Sequence, residues 1–243
     1  MLLVAALLWI DPVCAESAAP LNGGGKPETP QLFRDQRHVW NFDSERPGGP
    51  PSAFVVTVLG SGSPGHWTIE ADAHAPSPPN RLIQEAPCST PECFQVLLAE
   101  GVRYEYPDAA VRLRAITAGM QSAGGIVFGA RNPLTFLAAI VDFGSDTLEV
   151  IGVVDGQVTV LGREPVKRRK TDWHTLRVQH NTILSKEFLE ISFDGEIVFS
   201  RWEKAIGSGQ VGLVTHGPGP MAFDNFHVVQ LYSQRPLSPP AAY

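Results

Sequence analysis

Four short motifs in the C-terminal half limit the possible folds more than any other feature of the chain: Trp173-His174-Thr175-Leu176-Arg177-Val178, Phe193-Asp194-Gly195, Gly209-Gln210-Val211-Gly212-Leu213 and Phe223-Asp224-Asn225-Phe226. Each reads as a strand or a strand-ending turn. Successive side chains of a strand point to opposite faces, so alternation of apolar and polar residues extends the reading. In residues 66–72, Trp67, Ile69 and Ala71 share one face while His66, Thr68, Glu70 and Asp72 share the other, and residues 111–115 and 189–194 repeat the pattern. Asp194-Gly195 and Asp155-Gly156 are two-residue hairpin signals, the first followed by the strand Ile197-Val198-Phe199 and the second set between residues 148–154 and 158–161. The glycine-rich residues 60–65 read as a flexible hairpin joining two strands. Helix signals are scarce: residues 201–206 leave room for a short turn before Gly207, and Pro87 and Pro91 interrupt residues 85–98.

The expected architecture is all-β, two antiparallel sheets packed face to face. A chain of 243 residues can bury one such core as a single domain. The composition agrees, with 23 Gly and 21 Pro to serve turns and only 18% charged residues. A net charge of −6 argues against a general affinity for nucleic-acid backbones, which requires a surplus of Lys and Arg. The one basic run, Lys167-Arg168-Arg169-Lys170, reads as a solvated loop before the Trp173 strand, with a patch for an anionic ligand as the alternative.

The expected domain division is a signal peptide over residues 1–15, a flexible linker over 16–31, the sandwich over 32–234 and a flexible tail over 235–243. The apolar run from Leu2 to Ile10 followed by Val13-Cys14-Ala15 resembles a secretory signal cleaved after Ala15, although no positive residue precedes it and Asp11 interrupts its end. The run falls far short of the roughly 20 residues that span a bilayer. The expected location is therefore secreted or periplasmic, without a transmembrane span. In the mature chain Cys88 and Cys93 then remain, and three readings stay open: a disulfide, half of a metal site, or buried thiols.

The motifs in order resemble the laminin-G-like and concanavalin A-like jelly rolls, in particular the bacterial group that includes the 3-keto-disaccharide hydrolase domain. Besides the four motifs above, the resemblance rests on Trp40-Asn41-Phe42-Asp43, Gly65-His66-Trp67-Thr68-Ile69, residues 75–84 and Ala123-Gly124-Gly125-Ile126-Val127-Phe128, and it covers residues 32–231. It implies two antiparallel sheets, one of them concave, with sugars as a frequent ligand class. The sequence departs from this group at residues 135–142, where relatives carry a Tyr-rich strand and an Asn, and it lacks the Glu-x-Asp-x-x-Glu cluster of laminarinase-like glycosidases.

Three constellations could carry chemistry. Glu70 and Asp72 on one strand face should lie about 6.5 to 7 Å apart between Cα atoms, within the roughly 5 to 9.5 Å between carboxyl groups that glycosidic cleavage uses. With His216, which matches a His-Gly pair of the hydrolase-like relatives, they are the acid-base candidates if the protein is an enzyme; His66 and His74 flank the same strand. Asp43 near the first strand, with Asp224 and Asn225 near the last, supply the hard oxygens that suit Ca²⁺, the only cofactor the sequence hints at. A regular strand would turn Asp224 toward the core with Phe226 and Val228, whereas a bulge would turn it outward. Trp173 and Trp202, with His216, are the candidate saccharide contacts: Trp173 has opposite parity to Leu176 and Val178, which places it on the exposed face, while Trp40 and Trp67 read as core. No Gly-x-Ser-x-Gly elbow, His-Glu-x-x-His or phosphate-binding loop is present.

The expected function is thus an exported, lectin-like jelly roll that binds a saccharide or cell-envelope glycan, probed best on a glycan array with and without Ca²⁺. The rivals are a 3-keto-glycoside hydrolase or lyase, and an adhesion module without a small ligand.

Overall fold

A computed structural model describes residues 37–231 except 61–62, 86–87, 89, 91–92, 184–185 and 204–206. The expected signal, linker and tail lie outside the described residues, all of which belong to one unit of the chain, Asp35–Tyr243. In chain order the strands are β1 (Arg37–Trp40), β2 (Phe54–Leu59), β3 (Trp67–Ala71), β4 (Asn80–Gln84) and β5 (Phe94–Ala99). Next come β6 (Pro107–Ala115), β7 (Ala123–Asn132), β8 (Thr135–Asp142), β9 (Thr147–Val154) and β10 (Gln157–Pro165). The last five are β11 (His174–Ile183), β12 (Lys186–Phe193), β13 (Glu196–Glu203), β14 (Gln210–His216) and β15 (Met221–Gln230). Among the described residues no helix is long and apolar enough to cross a membrane.

Two antiparallel sheets form a jelly-roll sandwich. The first runs β13-β12-β11-β6-β15-β4-β3, with β1 also on β15, and the second runs β10-β9-β8-β7-β14-β5-β2. Alternation explains the core between them: Leu82, Leu113, Phe193 and Phe223 project from the first sheet, and Leu97, Ile126, Phe128 and Leu148 from the second, all nearly inaccessible to solvent. β1 and β15 are antiparallel partners, with Trp40 opposite Phe226 and its ring stacked on that of Phe226 at 5.1 Å, so the two ends of the domain meet as a jelly roll requires.

Both hairpin signals form as expected. Asp155 and Gly156 have φ of 49° and 82°, and Asp194 and Gly195 have 51° and 85°, the positive values that a tight hairpin demands of both central residues. The glycine-rich segment at residues 60–65 is different. It leaves β2 in the second sheet and enters β3 in the first, so it is a crossover and not a hairpin; β2 pairs with β5 and β3 with β4. Residues 201–203 continue β13 and make no helical turn, because Trp202 pairs with Phe188 of β12 and the strand ladder outweighs local preference.

Glycines let the second sheet curl away from the first. A Cβ on Gly125 of β7 would stand 1.8 Å from the Ala139 carbonyl oxygen, and one on Gly212 of β14 would stand 2.1 Å from that of Leu97. Neighbouring backbones occupy the space that any larger residue would need. The curl brings diagonal corners of the sheet together: Leu59 at the end of β2 and Leu134 both lie 3.9 Å from the Cβ position of Gly156 in the β9-β10 turn. The concave face so formed carries a second buried apolar cluster, including Phe94, Val96, Val127, Ile140, Ile151 and Val214.

Candidate functional site

The concave face turns polar at one end, where β14 finishes. Thr215 faces the other sheet and its hydroxyl donates to Gln84 Oε1 at 2.9 Å, so strand alternation directs His216 to the concave side. Three contacts fix the His216 ring and the chain around it. Its Nδ1–H donates to the Cys93 carbonyl at 2.8 Å, the ring stacks on Phe94 at 4.7 Å, and the Cys88 amide donates to the Gly217 carbonyl at 3.0 Å. Cys88 and Cys93 are joined by a disulfide with a Cα separation of 5.3 Å, which settles the three open readings of this pair in favour of a bond. A carbonyl can only accept, so Nδ1 holds the proton and Nε2 of the neutral ring is left as an acceptor.

Around His216 lies a depression of about 350 Å³ whose walls include Phe94, Gln121, Asp142, Thr147, Glu149 and Arg163. It shares Gln121, Asp142 and Ser145 with a neighbouring depression of about 710 Å³ walled also by Met120, Phe143 and Arg168. Glu149 pairs with Arg163 at 2.5 Å across β9 and β10. Asp142 accepts from the amides of Gly144 and Ser145 and from the Ser145 hydroxyl, which also meets Thr147 Oγ1 at 2.8 Å. Hydroxyls, carboxylates, a guanidinium and an imidazole acceptor thus converge beside an aromatic ring. This chemistry suits a ligand rich in hydroxyl groups.

The three acid-base candidates do not meet. Glu70 and Asp72 lie on the outer face of the first sheet, on the far side of the sandwich from His216. Both grip Arg81: Glu70 accepts from Nε at 2.8 Å and Asp72 faces Nη1 at 2.9 Å, with Arg114 a further 3.4 Å partner of Asp72. His66 and His74 are exposed on that side. The two tryptophans also stand apart from the His216 depression. Trp173, expected to be exposed, is 8% exposed because Arg114 covers its ring at 4.8 Å. Trp202 is 53% exposed on edge strand β13, its ring against Phe188 at 5.1 Å and 5.9 Å from the Lys186 ammonium.

Asp43 and Asp224 do come together. β15 bulges between Asp224 and His227, with φ of 49° at Asn225, so Asp224 pairs with Arg112 on the outer face while Phe226 and Val228 turn inward. Asp224 is fully buried, accepting from the amides of Ser77 and Asn225, both at 2.6 Å, and the Ser77 hydroxyl donates to Asp43 at 2.7 Å. As a place for Ca²⁺ the cluster offers a buried, unpartnered Asp43 Oδ1, but Asp224 spends both oxygens on backbone amides. Ca²⁺ takes six to eight oxygens, and among the described residues no group of three or more His, Cys, Asp or Glu is placed to hold a metal.

Burial raises the Asp224 pKa to about 6; the amides of Ser77 and Asn225 oppose this, the charge of Asp43 adds to it, and Arg112 opposes it. A carboxyl raised in the folded state stabilises it fully below the unfolded value near 4, and that contribution is lost as pH rises through 6. Asp224→Asn removes the titration. Relative to wild type, the variant should therefore gain about 2 kcal/mol between pH 4.5 and 7.5. Parallel melting curves across that range check this; a difference that does not change with pH would show that Asp224 stays ionised.

Of the residues that wall this depression, the sequence singled out His216 but neither Glu149 nor Arg163. The hairpin that joins their strands was evident, but simple counting from its turn sets residue 162 opposite Glu149. A bulge between Val160 and Gly162 moves Arg163 into that place.

No protein-family model matches this chain, and no curated protein matches it. Solved structures do match. The carbohydrate-binding module CBM66 from Bacillus subtilis is 14% identical at a TM-score of 0.53, over 70% of this chain and 92% of that one. Lectin II from Ulex europaeus is 10% identical at 0.52, over 82% and 100%. The carbohydrate recognition domain of Emp46p is 10% identical at 0.51, over 74% and 90%. At such identities the likeness is one of fold, the jelly roll that lectins use.

Proposed function

We propose that the chain is an exported saccharide-binding domain whose ligand sits in the depression beside His216. The observation that carries this reading is the pairing of a fixed imidazole acceptor and its stacked Phe94 with Glu149, Arg163 and Asp142 on one wall. Three solved structures of the same fold bear names that declare carbohydrate binding, which supports the ligand class. The disulfide supports an oxidising compartment, since such bonds are rare where thiols are kept reduced. The finer resemblance to the 3-keto-disaccharide hydrolase group contributes the His216-Gly217 pair at this place, with Glu70 and Asp72 on the opposite face.

A glycan array with the purified chain, run with and without Ca²⁺, should give at least one saccharide hit. His216→Ala should weaken that hit by about ten-fold or more, as expected for the loss of one well-placed polar contact, while the protein stays folded with a melting temperature lowered by only about 2 to 4 °C for the lost stack and hydrogen bond. Silence of the wild type across the array, or a hit indifferent to the substitution, would refute the reading.

A further inference from the structure

The cleft that begins at His216 ends beside a basic loop, residues 167–170. Lys167, Arg168, Arg169 and Lys170, all exposed, lie between β10 and β11 in a chain whose net charge is −6. Arg168 walls the larger depression, ion-pairs with Asp146 at 2.6 Å and stands 5.7 Å from the centre of the Phe143 ring. No acidic side chain among the described residues pairs with Lys167, Arg169 or Lys170. The loop is held in place through its backbone, because the Arg169 amide donates to Asp194 at 3.2 Å.

The acidic groups of the cleft, by contrast, are all engaged. Glu149 is spent on Arg163, Asp146 on Arg168, and Asp142 on two amides and a hydroxyl. Glu149 and Asp146 balance Arg163 and Arg168, so the positive charge left over beside the cleft is that of Lys167, Arg169 and Lys170 in the loop at its end. From this juxtaposition we infer that the ligand is an acidic saccharide, a glycan with carboxylate or sulfate groups along its chain, whose sugar rings lie at His216 and whose anionic groups meet the 167–170 loop. The inference rests on the saccharide reading above. Long-range attraction by a cluster of like charges raises association and falls with ionic strength.

The test compares polygalacturonate with its methyl-esterified form, the same backbone with and without charge, for wild type, for the triple variant Lys167→Ser, Arg169→Ser and Lys170→Ser, and for His216→Ala. The triple variant keeps the Arg168 pair and the amide bond to Asp194, so it should fold as wild type does. Wild type should bind polygalacturonate more tightly than the ester and lose affinity as salt is added. The triple variant and His216→Ala should each bind it about ten-fold more weakly. Equal binding of acid and ester, indifference to either variant, or equal binding of polyglutamate would overturn the inference. A neutral glycan bound on the array with no preference for the acid would overturn it and leave the saccharide reading intact, whereas silence toward every glycan would defeat both.

Discussion

Replacing Asp194 by Ala is expected to cost about 3 kcal/mol or more, because it strands the three donors its carboxylate receives, each worth about 1 to 3 kcal/mol when left unpaired in the interior. His174 and Asp194 are both buried and meet at 2.7 Å between Nδ1 and Oδ2. The same carboxylate accepts from the amides of Thr175 at 3.0 Å and Arg169 at 3.2 Å. Burial works against its charge, but the bonds from His174, Thr175 and Arg169 and the His174 charge outweigh that and hold its pKa below the usual carboxylate value. A depressed carboxylate pKa contributes stability above the unfolded value near 4, and that contribution disappears as pH falls through the folded value. Wild type should thus lose part of its margin over Asp194→Ala in acid. Urea unfolding at pH 7 and at pH 3.5 measures both effects; a variant within about 1 kcal/mol of wild type at pH 7 would show the group to be dispensable. Release of the Arg169 amide should also loosen the 167–170 loop, so acidic-glycan binding should weaken in any Asp194→Ala protein that remains folded.

Gly212→Ala should be comparably damaging, for a steric reason. Its new methyl would lie 2.1 Å from the Leu97 carbonyl oxygen and 3.0 Å from Leu98 Cα, both backbone atoms of β5. Strand β14 is hydrogen-bonded to β5 on one side and β7 on the other, so neither neighbour can retreat without breaking a ladder. Overpacking that only side chains must absorb costs about 1 to 3 kcal/mol, and here the loss should be about 3 kcal/mol or more. Gly49→Ala is the matched control, since its methyl would meet only the Arg46 carbonyl at an ordinary 3.5 Å. Denaturant midpoints should separate the two variants widely; coincident midpoints would mean that the curled sheet can flatten cheaply.

The elements legible in the sequence were those whose signal is local. Asp155-Gly156 and Asp194-Gly195 announce their turns because only a few residue types accept two consecutive positive φ values. Alternation placed Trp67 and Ile69 in the core for the same local reason. The glycine-rich crossover was misread because the partner of a strand is a property of the whole topology, and nothing in residues 60–65 says which sheet comes next. Trp173 was misplaced because parity ignores Arg114, which reaches across from β6 to cover the ring. His216 was visible as a His-Gly pair beside a loop, yet its acidic and basic neighbours depend on a bulge that a one-residue count cannot foresee.

The Cys88–Cys93 bond closes so short a loop that it restrains the unfolded chain far less than a bridge between distant strands would. Its weight therefore falls on what hangs from its ends, and one of these is the carbonyl that accepts the hydrogen bond from His216 Nδ1–H. The tautomer presented to a ligand is set by that carbonyl, which lies on a residue the disulfide tethers. A thiol-to-disulfide step would then act on this protein less as reinforcement of the scaffold than as the last stroke in shaping a recognition surface.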